Sequence, residues 1–505
     1  MEQVLTGKLE SIQQSFAFFL PEIILSVGIL FILMMGIVFR IRENKTGNDK
    51  SSDYRHTYSI VSIIILLASA TVMLMQWSTL IKPATLFVEM IRIDQFSTFL
   101  KIIIEASTIV IVLLTWRGKL QTKLSEYYAL VLAIVLGAHL LMMSINFVMV
   151  FLSLEIISIS SYILAGFSFN KKASEASLKY FLFGSVASAI MLYGLSILFG
   201  LTGSLDFTSS SFSTALIEKS SPLMFTALLL ALAGFLYKIA AAPMHIWSPD
   251  IYEAAPMPVV AFFSIVPKLA GFGILTKFLL TINQMSKSAY DWQLIISVIA
   301  ILTITIGNFS ALAQKNAKRM MAYSSIAQSG FLLVGLAASL PSGIHFMLFY
   351  AIVYAVANLV VFLFLQYFES NNIHTIAEFK GIGKQLVWPS ILLFVALISL
   401  TGLPPTSGFS AKLFIFSSLW EAYSISGKPV LLVLFVFGLL NTVISLFYYL
   451  RIPYYAFLKD STGTFKQHNL TFENLFGFIL VLVILILFFL PGMLMGWINK
   501  ITFVL

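Results

Sequence analysis

The stretch FLYKIAAAPMHIWSPDIYEAAPMP, residues 235–258, places a lysine and a histidine in an apolar run that prolines interrupt. Pro243 has no N–H group and its ring crowds the preceding turn, so the carbonyl of Ile239 loses its helical partner. The freed carbonyls form the negative end of a half-helix, one turn from the Lys238 ammonium and beside His245. Inside a membrane, water or polar side chains must satisfy such backbone. The run therefore indicates a polarised spot that could hold and release a proton, although His245 could also simply hydrogen-bond the loosened backbone.

A second stretch repeats this combination of prolines and a lysine. LISLTGLPPTSGFSAKLFIF, residues 397–416, contains Pro404 and Pro405, and Lys412 follows them. A third lysine, Lys268, lies beside Pro267 in the apolar run AFFSIVPKLAGFGILTKF. A basic residue at mid-bilayer costs about 2.5–3.5 kcal/mol on insertion scales and generally faces a partner or a wet cavity. We expect Lys268 to relay protons between the two broken segments.

Glu155 is the main acidic residue within an apolar run, in VMVFLSLEIISISSYILAG. It is the natural counter-charge for Lys238. A Glu–Lys pair in a low dielectric keeps both groups ionised, whereas a weakened contact favours a neutral lysine that can exchange protons. The alternative interpretation is a static structural ion pair.

Other polar groups in apolar runs allow two interpretations. Lys179 and Lys101 lie near predicted helix ends and could extend to the interface, and Lys101 has Glu105 one turn further on. His345 is a weaker relay candidate. A further set, spaced four residues apart, predicts one polar helix face that is more typical of interhelical hydrogen bonding than of a proton path: Tyr350, Tyr354 and Asn358.

The elements that position these residues are predicted to be membrane-spanning helices. Of the 505 residues, 59% are hydrophobic and only 10% are charged. Apolar segments of roughly 20 residues recur, each long enough to cross about 30 Å of hydrocarbon. Their length and lack of alternation predict helices rather than barrel strands. The fourteen segments are 17–39, 57–79, 95–115, 127–143, 146–167, 179–200, 222–241, 258–280, 291–313, 321–339, 343–367, 387–422, 429–450 and 471–498. The first is interpreted as a retained helix, not a signal peptide.

The distribution of charge predicts the topology and argues against a nucleic-acid ligand. When the loops are assigned alternately to two sides, 18 basic residues fall on one side and 8 on the other. By the positive-inside rule the first side is cytoplasmic, and both termini face outward. The chain has no cysteine, which excludes disulfides, cysteine-ligated iron–sulfur clusters and thiol catalysis. The six histidines show no metal-ligand spacing.

The two proline-interrupted segments are the seventh and the twelfth, so they run antiparallel. Interrupted segments at corresponding positions of two halves are typical of inverted-repeat transport proteins. We therefore expect an all-α integral membrane protein with two inverted five-helix repeats, each containing a discontinuous helix. The predicted divisions are helices 1–3 (1–125), a first repeat (126–285), a second repeat (286–455), and a loop with helix 14 (456–505).

At these residues the sequence resembles the antiporter-like membrane subunits of respiratory complex I, which are related to multisubunit cation/proton antiporters and membrane-bound hydrogenases. The resemblance runs across spans 4–13. It is most specific at APMHIWSPDIYEAAPMP, AKRMMAYSSIAQSGF and LTGLPPTSGFSAKLFIF. The WSPDxYE form and the lysine at position 412 are most similar to the subunit N branch of bacterial NADH:quinone oxidoreductase. Two positions differ from relatives: Gln328, where some carry histidine, and Ala254, where glycine is common.

The resemblance implies roles for individual residues. Glu155 and Lys238 would be the charge pair of a first half-channel, Lys268 the central relay and Lys412 the lysine of a second half-channel, with Lys179 accessory. This chain would bind no cofactor and would have no redox centre. NADH, flavin, iron–sulfur clusters and quinone would be bound by partner subunits of a proton-pumping translocase in the bacterial inner membrane. Two alternatives stay open: a subunit of a Na⁺/H⁺ antiporter or of a membrane-bound hydrogenase, and a structural spacer whose buried charges fix helix register.

Overall fold

The structure, a computed structural model, is almost entirely helical. It describes residues 12–13, 15–46, 54–78, 80, 83–116, 123–218, 221–285, 290–460 and 471–503. Helices cover nearly every apolar segment that the sequence predicts, which confirms an all-α membrane fold. One short antiparallel hairpin, β1 (Ala84–Leu86) with β2 (Ile91–Ile93), was not predicted. Its Leu86, Ile91 and Ile93 side chains are buried in a small apolar cluster with Met143.

The described α-helices follow in chain order, with a 3₁₀-helix at Ile376–Phe379 and a π-helix at Tyr454–Leu458. They are α1 (Leu20–Thr46), α2 (Tyr54–Trp77), α3 (Gln95–Thr115), α4 (Leu124–Met143), α5 (Phe147–Ala165), α6 (Lys171–Thr202), α7 (Ser210–Glu218), α8 (Pro222–Lys238), α9 (Ser248–Ala254), α10 (Met257–Met285), α11 (Trp292–Leu312), α12 (Ala317–Ala337), α13 (Pro341–Ser370), α14 (Ile382–Gln385), α15 (Val387–Thr401), α16 (Ser407–Ser426), α17 (Pro429–Pro453), α18 (Thr471–Phe489) and α19 (Pro491–Ile498).

The chain divides into two compact units. The first comprises Met1–Lys238, Val266–Ala289 and Thr502–Leu505, and the second comprises Ile239–Ile265 and Tyr290–Ile501. In the first, α6 packs along α8 and α4 packs on α1 and α5. In the second, α11 packs along α12, and α13 contacts α15, α16 and α18.

Helix length separates continuous spans from interrupted ones. Within the described residues, eleven helices are long and apolar enough to cross a membrane. The two shorter apolar helices are α8 and α15, with 17 and 15 residues. Each ends at a proline-containing break in the seventh or twelfth predicted span. The prediction of two discontinuous helices is therefore confirmed.

Three local expectations were wrong. The last predicted span is not one helix, because α18 ends before Pro491 and α19 turns away by 81°. Pro491 cannot donate a hydrogen bond to the preceding turn, and it fits the first turn of a new helix. Lys277 is one of the 8 basic residues that the charge count assigns to loops on the outer side, but it is buried in α10 and pairs with Asp94 at 2.8 Å. Lys101 does not reach the interface: its side chain has no exposed surface and its Nζ lies 2.6 Å from Glu22 Oε1.

The boundaries of the four predicted divisions and the outward position of both termini remain predictions. Part of the charge count behind the topology falls on residues outside the described ones: Lys8, Lys50, Lys82, Arg117, Lys119, Lys219, Lys287 and Lys466.

Small residues allow α11 and α12 to approach closely. A Cβ at Gly307 would lie 2.5 Å from the backbone nitrogen of Ala327, and one at Gly330 would lie 2.8 Å from the nitrogen of Ile304. The Cβ at Gly330 would also lie 2.5 Å from Ile304 Cγ1, but at both positions a backbone atom of the partner helix, which no side-chain rotation can move, obstructs it. In membranes, where lipid is as apolar as the helix surface, such backbone proximity is a main source of helix association.

We therefore expect Gly307→Ala to destabilise the chain by about 1–3 kcal/mol, the usual cost of overpacking. The measurement is the thermal midpoint of the purified chain in detergent, followed by size-exclusion chromatography of heated samples. Gly200→Ala is the matched control, since a Cβ at this helical glycine meets nothing within 4 Å. An equal effect of the two substitutions would contradict the close-packing account.

Candidate functional site

The first break lies between Lys238, the last residue of α8, and the short helix α9. The Ile239 carbonyl, which Pro243 deprives of a helical donor, accepts a hydrogen bond from Ser329 Oγ at 2.7 Å. The backbone N–H of Ala242 donates to Thr303 Oγ1 at 3.0 Å. The expectation that polar side chains satisfy this backbone is therefore confirmed. Two hydroxyls from α11 and α12 hold an irregular segment that lipid could not solvate.

Lys238 lies at the end of α8 and is 2% exposed. Its Nζ donates to Ser158 Oγ at 3.1 Å, and Ser158 lies one turn after Glu155 on α5. Glu155 accepts a hydrogen bond from Ser188 Oγ at 2.6 Å instead of pairing directly with the lysine. The expected Glu155–Lys238 contact is therefore not an ion pair in this structure. The lysine therefore contacts the Ser158 hydroxyl, and the carboxylate contacts the Ser188 hydroxyl.

The second break separates α15 from α16. Lys412, which is 4% exposed, donates from Nζ to the carbonyl of Thr401 at 2.8 Å. This carbonyl belongs to the last residue of α15, so no helical donor is available to it. The ammonium also lies 4.2 Å from the centroid of the Phe331 ring, within cation–π distance. A buried cation is thus stabilised by a helix C-terminus and an aromatic face.

Gly402 makes room for the Lys412 side chain. Its φ of 87° lies in the left-handed region, which favours glycine, and it ends α15 as a C-cap. A Cβ at this position would lie 2.7 Å from Lys412 Cδ. The glycine in LTGLPP therefore lets the chain turn and leaves space for the aliphatic stem of the lysine.

Polar side chains on one face of α12 bond to carbonyls of both breaks within the second unit. At one end, Ser329 bonds the Ile239 carbonyl and also donates to the backbone oxygen of Ser325 at 3.0 Å. At the other end, Gln328 Nε2 donates to the carbonyl of Leu400 at 2.9 Å, next to the Thr401 carbonyl that accepts from Lys412. We call this face, Ser324, Ser325, Gln328 and Ser329, the α12 polar face.

Tyrosines extend the α12 polar face toward neighbouring helices. Tyr350 donates to Gln328 Oε1, and Gln328 Nε2 lies 3.1 Å from the hydroxyl of Tyr449. Tyr354 contacts the Ser325 hydroxyl at 2.8 Å and donates to the Ser264 carbonyl. The interhelical interpretation of the Tyr350–Tyr354 spacing is therefore confirmed. Asn358 differs, because its amide donates within its own helix to Tyr354.

The other four residues that the sequence suggests for proton transfer differ in how deeply they are buried. Lys268 lies inside α10 directly after Pro267 and is 1% exposed. Lys179 is 46% exposed and pairs with Glu175 at 2.8 Å, one turn earlier on α6. His245 lies in the irregular segment between α8 and α9 and is partly exposed. His345 Nε2 lies 3.1 Å from the carbonyl of Ile501. Lys268 thus has the deep burial that was predicted, whereas Lys179 lies on an exposed face.

Sequence reasoning missed the hydroxyls that contact these groups. Ser158, Ser188, Thr303 and Ser329 are hydroxyl residues in apolar helices, and such residues usually bond their own preceding turn. Their spacing alone does not show which neighbouring helix each hydroxyl faces. Only the dense run YSSIAQS in span 10 could have indicated a polar face, since four polar side chains at positions i, i+1, i+4 and i+5 share one side of a helix.

The comparison with known proteins agrees with this geometry. Residues 144–445 match the family model described as "NADH:quinone oxidoreductase/Mrp antiporter, TM". The chain belongs to this family. It is 37% identical over 468 residues to NADH-quinone oxidoreductase subunit N 2 of Sorangium cellulosum, covering 89% of this chain and 90% of that one.

Two solved structures have the same fold. A chain of respiratory complex I from Thermus thermophilus with bound aureothin matches with a TM-score of 0.77 at 26% identity, covering 95% of this chain and all of that chain. A chain of the Mrp complex from Dietzia sp. matches with a TM-score of 0.79 at 18% identity, covering 95% of this chain and 96% of that one. The second likeness concerns the fold alone. Together they confirm the predicted fold class, and the family match and the Sorangium relative confirm the resemblance seen in the sequence.

Removal of the Ser329 hydroxyl leaves the Ile239 carbonyl without this donor. We expect Ser329→Ala to lower the stability of the chain by about 1–3 kcal/mol, the cost of an unsatisfied buried polar group. The thermal midpoint in detergent measures this effect. Ser424→Ala is the control, because the exposed Ser424 hydroxyl bonds only the Trp420 carbonyl of its own helix. Equal midpoints for Ser329→Ala and the unsubstituted chain would show that Ser329 does not hold the break.

Proposed function

We propose that this chain is a proton-translocating membrane subunit of an NADH:quinone oxidoreductase. Its buried residues move protons while quinone is reduced in partner subunits. The observation that carries the proposal is the burial of Lys238, Lys268 and Lys412 within spans, two of them at helix breaks. Intramembrane ionisable residues are costly, and they usually belong to ion or proton pathways.

The contacts of Lys238 suit a lysine that exchanges its proton. Its ammonium donates to the neutral Ser158 hydroxyl, while Glu155 is held separately by Ser188. Movement of Glu155 toward Lys238 stabilises the charged lysine, and withdrawal favours the neutral amine. A conformational or electrostatic signal from partner subunits shifts this balance. Lys238 then loads Lys268, and Lys268 loads Lys412.

The second break supplies the end of the pathway. Lys412 in its charged form donates to the Thr401 carbonyl and contacts the Phe331 ring. The α12 polar face carries donors to both breaks, since Ser329 bonds the Ile239 carbonyl and the adjacent Gln328 bonds the Leu400 carbonyl. His245 and Lys179 are accessory groups at the first break and on the exposed face of α6.

The setting follows from the resemblance to subunit N of NADH-quinone oxidoreductase. The chain assembles with other membrane subunits in the bacterial inner membrane, with both termini on the outer side. NADH, flavin, iron–sulfur clusters and quinone bind in partner subunits, and the residues of this chain supply only proton transfer. The two five-helix repeats comprise residues 126–285 and 286–455, with three helices before them (1–125) and a loop with the last helix after them (456–505).

The proposal predicts that Lys238→Ala and Lys412→Ala each lower proton pumping at least several-fold, with a parallel loss of coupled quinone reductase activity. Both substitutions remove the ionisable group while leaving the helix break. The measurement is acidification of proteoliposomes that contain the intact complex, normalised to assembled complex and to NADH oxidised.

Lys384→Ala is the matched control for this measurement. Lys384 forms an exposed pair with Asp460 and should not affect pumping. Unchanged pumping in both buried-lysine variants would reject the function. Pumping of Na⁺ in exchange for protons, without dependence on NADH, would favour an antiporter instead.

A glycine substitution tests the position of Lys412 without changing any charge. A Cβ at Gly402 displaces the lysine stem, so Gly402→Ala should lower pumping toward the level of Lys412→Ala. Gly427→Ala has the same type of backbone cost, since its φ is 65° and about 1–2 kcal/mol is expected for an L-residue. A Cβ there meets nothing within 4 Å. If both glycine variants pump alike, the geometry of Lys412 does not matter.

A further inference from the structure

Four ionisable side chains meet in the interior of the first unit, on helices that have no break. Glu22 on α1, Lys101 and Glu105 on α3, and His139 on α4 have no exposed surface. Glu22 Oε1 accepts from Lys101 Nζ at 2.6 Å and lies 3.2 Å from His139 Nδ1. We call these four residues the N-terminal charge cluster. The helices that carry it are continuous, so no broken backbone accounts for it.

The charges of the cluster do not balance. With His139 neutral, two carboxylates face one ammonium, which leaves one net negative charge in a fully buried place. An uncompensated buried charge is costly, because the low-dielectric interior does not replace its hydration. One additional proton would neutralise the cluster.

The position of that proton follows from the hydrogen bonds. If His139 Nδ1–H donates to Glu22, the lone pair of Nε2 points away from Glu22. Glu105 Oε1 lies 3.7 Å from this Nε2. Among the described residues, His139 Nε2 has no hydrogen-bond partner, and the only polar group that interacts with the Glu105 carboxylate besides the cluster itself is the Ser69 hydroxyl of α2. Two acceptors therefore face each other, and a proton on either one creates the missing donor.

A polar stripe connects the cluster to the end of α3. Asp94, Thr98, Lys101 and Glu105 follow at intervals of four, three and four residues, so they lie on one helix face. All four are buried. From Asp94 to Lys101 the helix rises about 10 Å, at 1.5 Å per residue.

The Asp94 end of the stripe lines a cavity at the surface. Asp94 pairs with Lys277 of α10 at 2.8 Å, and Arg92 donates to Thr208 at 2.9 Å. These four residues line the cavity together with Thr502 and Phe503. The ionisable groups that face the cluster from this direction are thus Asp94, Lys277 and Arg92.

We propose that the N-terminal charge cluster is a proton-binding site that holds one exchangeable proton between His139 and Glu105. The proton exchanges with water through the cavity at Asp94 and Lys277. This site lies outside the set of Glu155, Lys238, Lys268 and Lys412, and it does not depend on the proposed function. A Na⁺ ion fits less well than a proton, because the Lys101 ammonium already pairs with the Glu22 carboxylate.

The test is infrared difference spectroscopy of the purified chain in lipid nanodiscs between acidic and alkaline buffer. It needs no turnover, so it separates this site from the pumping proposal. We expect a titrating band from the buried cluster in the unsubstituted chain. Glu105→Gln leaves Glu22 and Lys101 as a neutral pair, so this band should disappear. His139→Gln should retain a carboxyl band and shift its titration midpoint.

Two control substitutions and a comparison of Na⁺ with choline show whether the band comes from a proton bound in the cluster. Glu126 lies on α4, the helix of His139, and its partly exposed carboxylate pairs with Arg40 of α1. The substitution Glu126→Gln should therefore leave the cluster band unchanged. Lys412→Ala should also leave it unchanged. If Glu105→Gln does not fold, Glu105→Asp should still shift the midpoint. A band that persists in Glu105→Gln, a midpoint unchanged in Glu105→Asp, or a band displaced by Na⁺ but not by choline would overturn the proposal.

Discussion

The structure depends on the pairing of backbone carbonyls that two proline-containing breaks release inside apolar helices. In lipid such groups have no solvent partner, so each break requires polar side chains in fixed positions. Ser329 bonds the Ile239 carbonyl, and Lys412 bonds the Thr401 carbonyl. These polar residues of the second unit therefore have a structural role, which is to bond the freed carbonyls, whether or not they also take part in transport. Ser329 and the adjacent Gln328 thus bond carbonyls at both breaks from one face of α12.

This requirement explains why α12 carries an unusual composition for a membrane span. Its mean hydropathy is the lowest of the eleven long spans, at 1.3. Four polar side chains on one face bond carbonyls or tyrosine hydroxyls, whereas Gly330 allows close contact with Ile304 of α11. Hydrophobic burial cannot drive helices together in lipid, so hydrogen bonds and close backbone packing replace it.

The sequence predicted those features that arise from local covalent chemistry. Pro243 and Pro404 specify breaks wherever their helices run, and a run of about 20 apolar residues specifies a span in any context. Lysine burial was predictable in the same way for Lys238, Lys268 and Lys412. The sequence could not reveal the direction of hydroxyls such as Ser158, because that depends on which helix lies opposite. It also gave Lys101 the wrong partner, since Glu105 is close in the chain but Glu22 is the acid that α1 brings into contact.

The two kinds of buried lysine contact have different consequences for proton release. Lys101 contacts a carboxylate, and two unit charges at 4 Å attract by about 4 kcal/mol at an effective dielectric of 20. Loss of the lysine proton there would leave a buried carboxylate without compensation, so the ammonium stays and any exchange falls to His139 and Glu105. Lys412 and Lys238 contact a carbonyl and a hydroxyl, which are neutral. An amine can lose its proton beside a neutral partner without creating a net charge. The lysines at the breaks are thus suited to release protons, and Lys101 is suited to hold an anion in place.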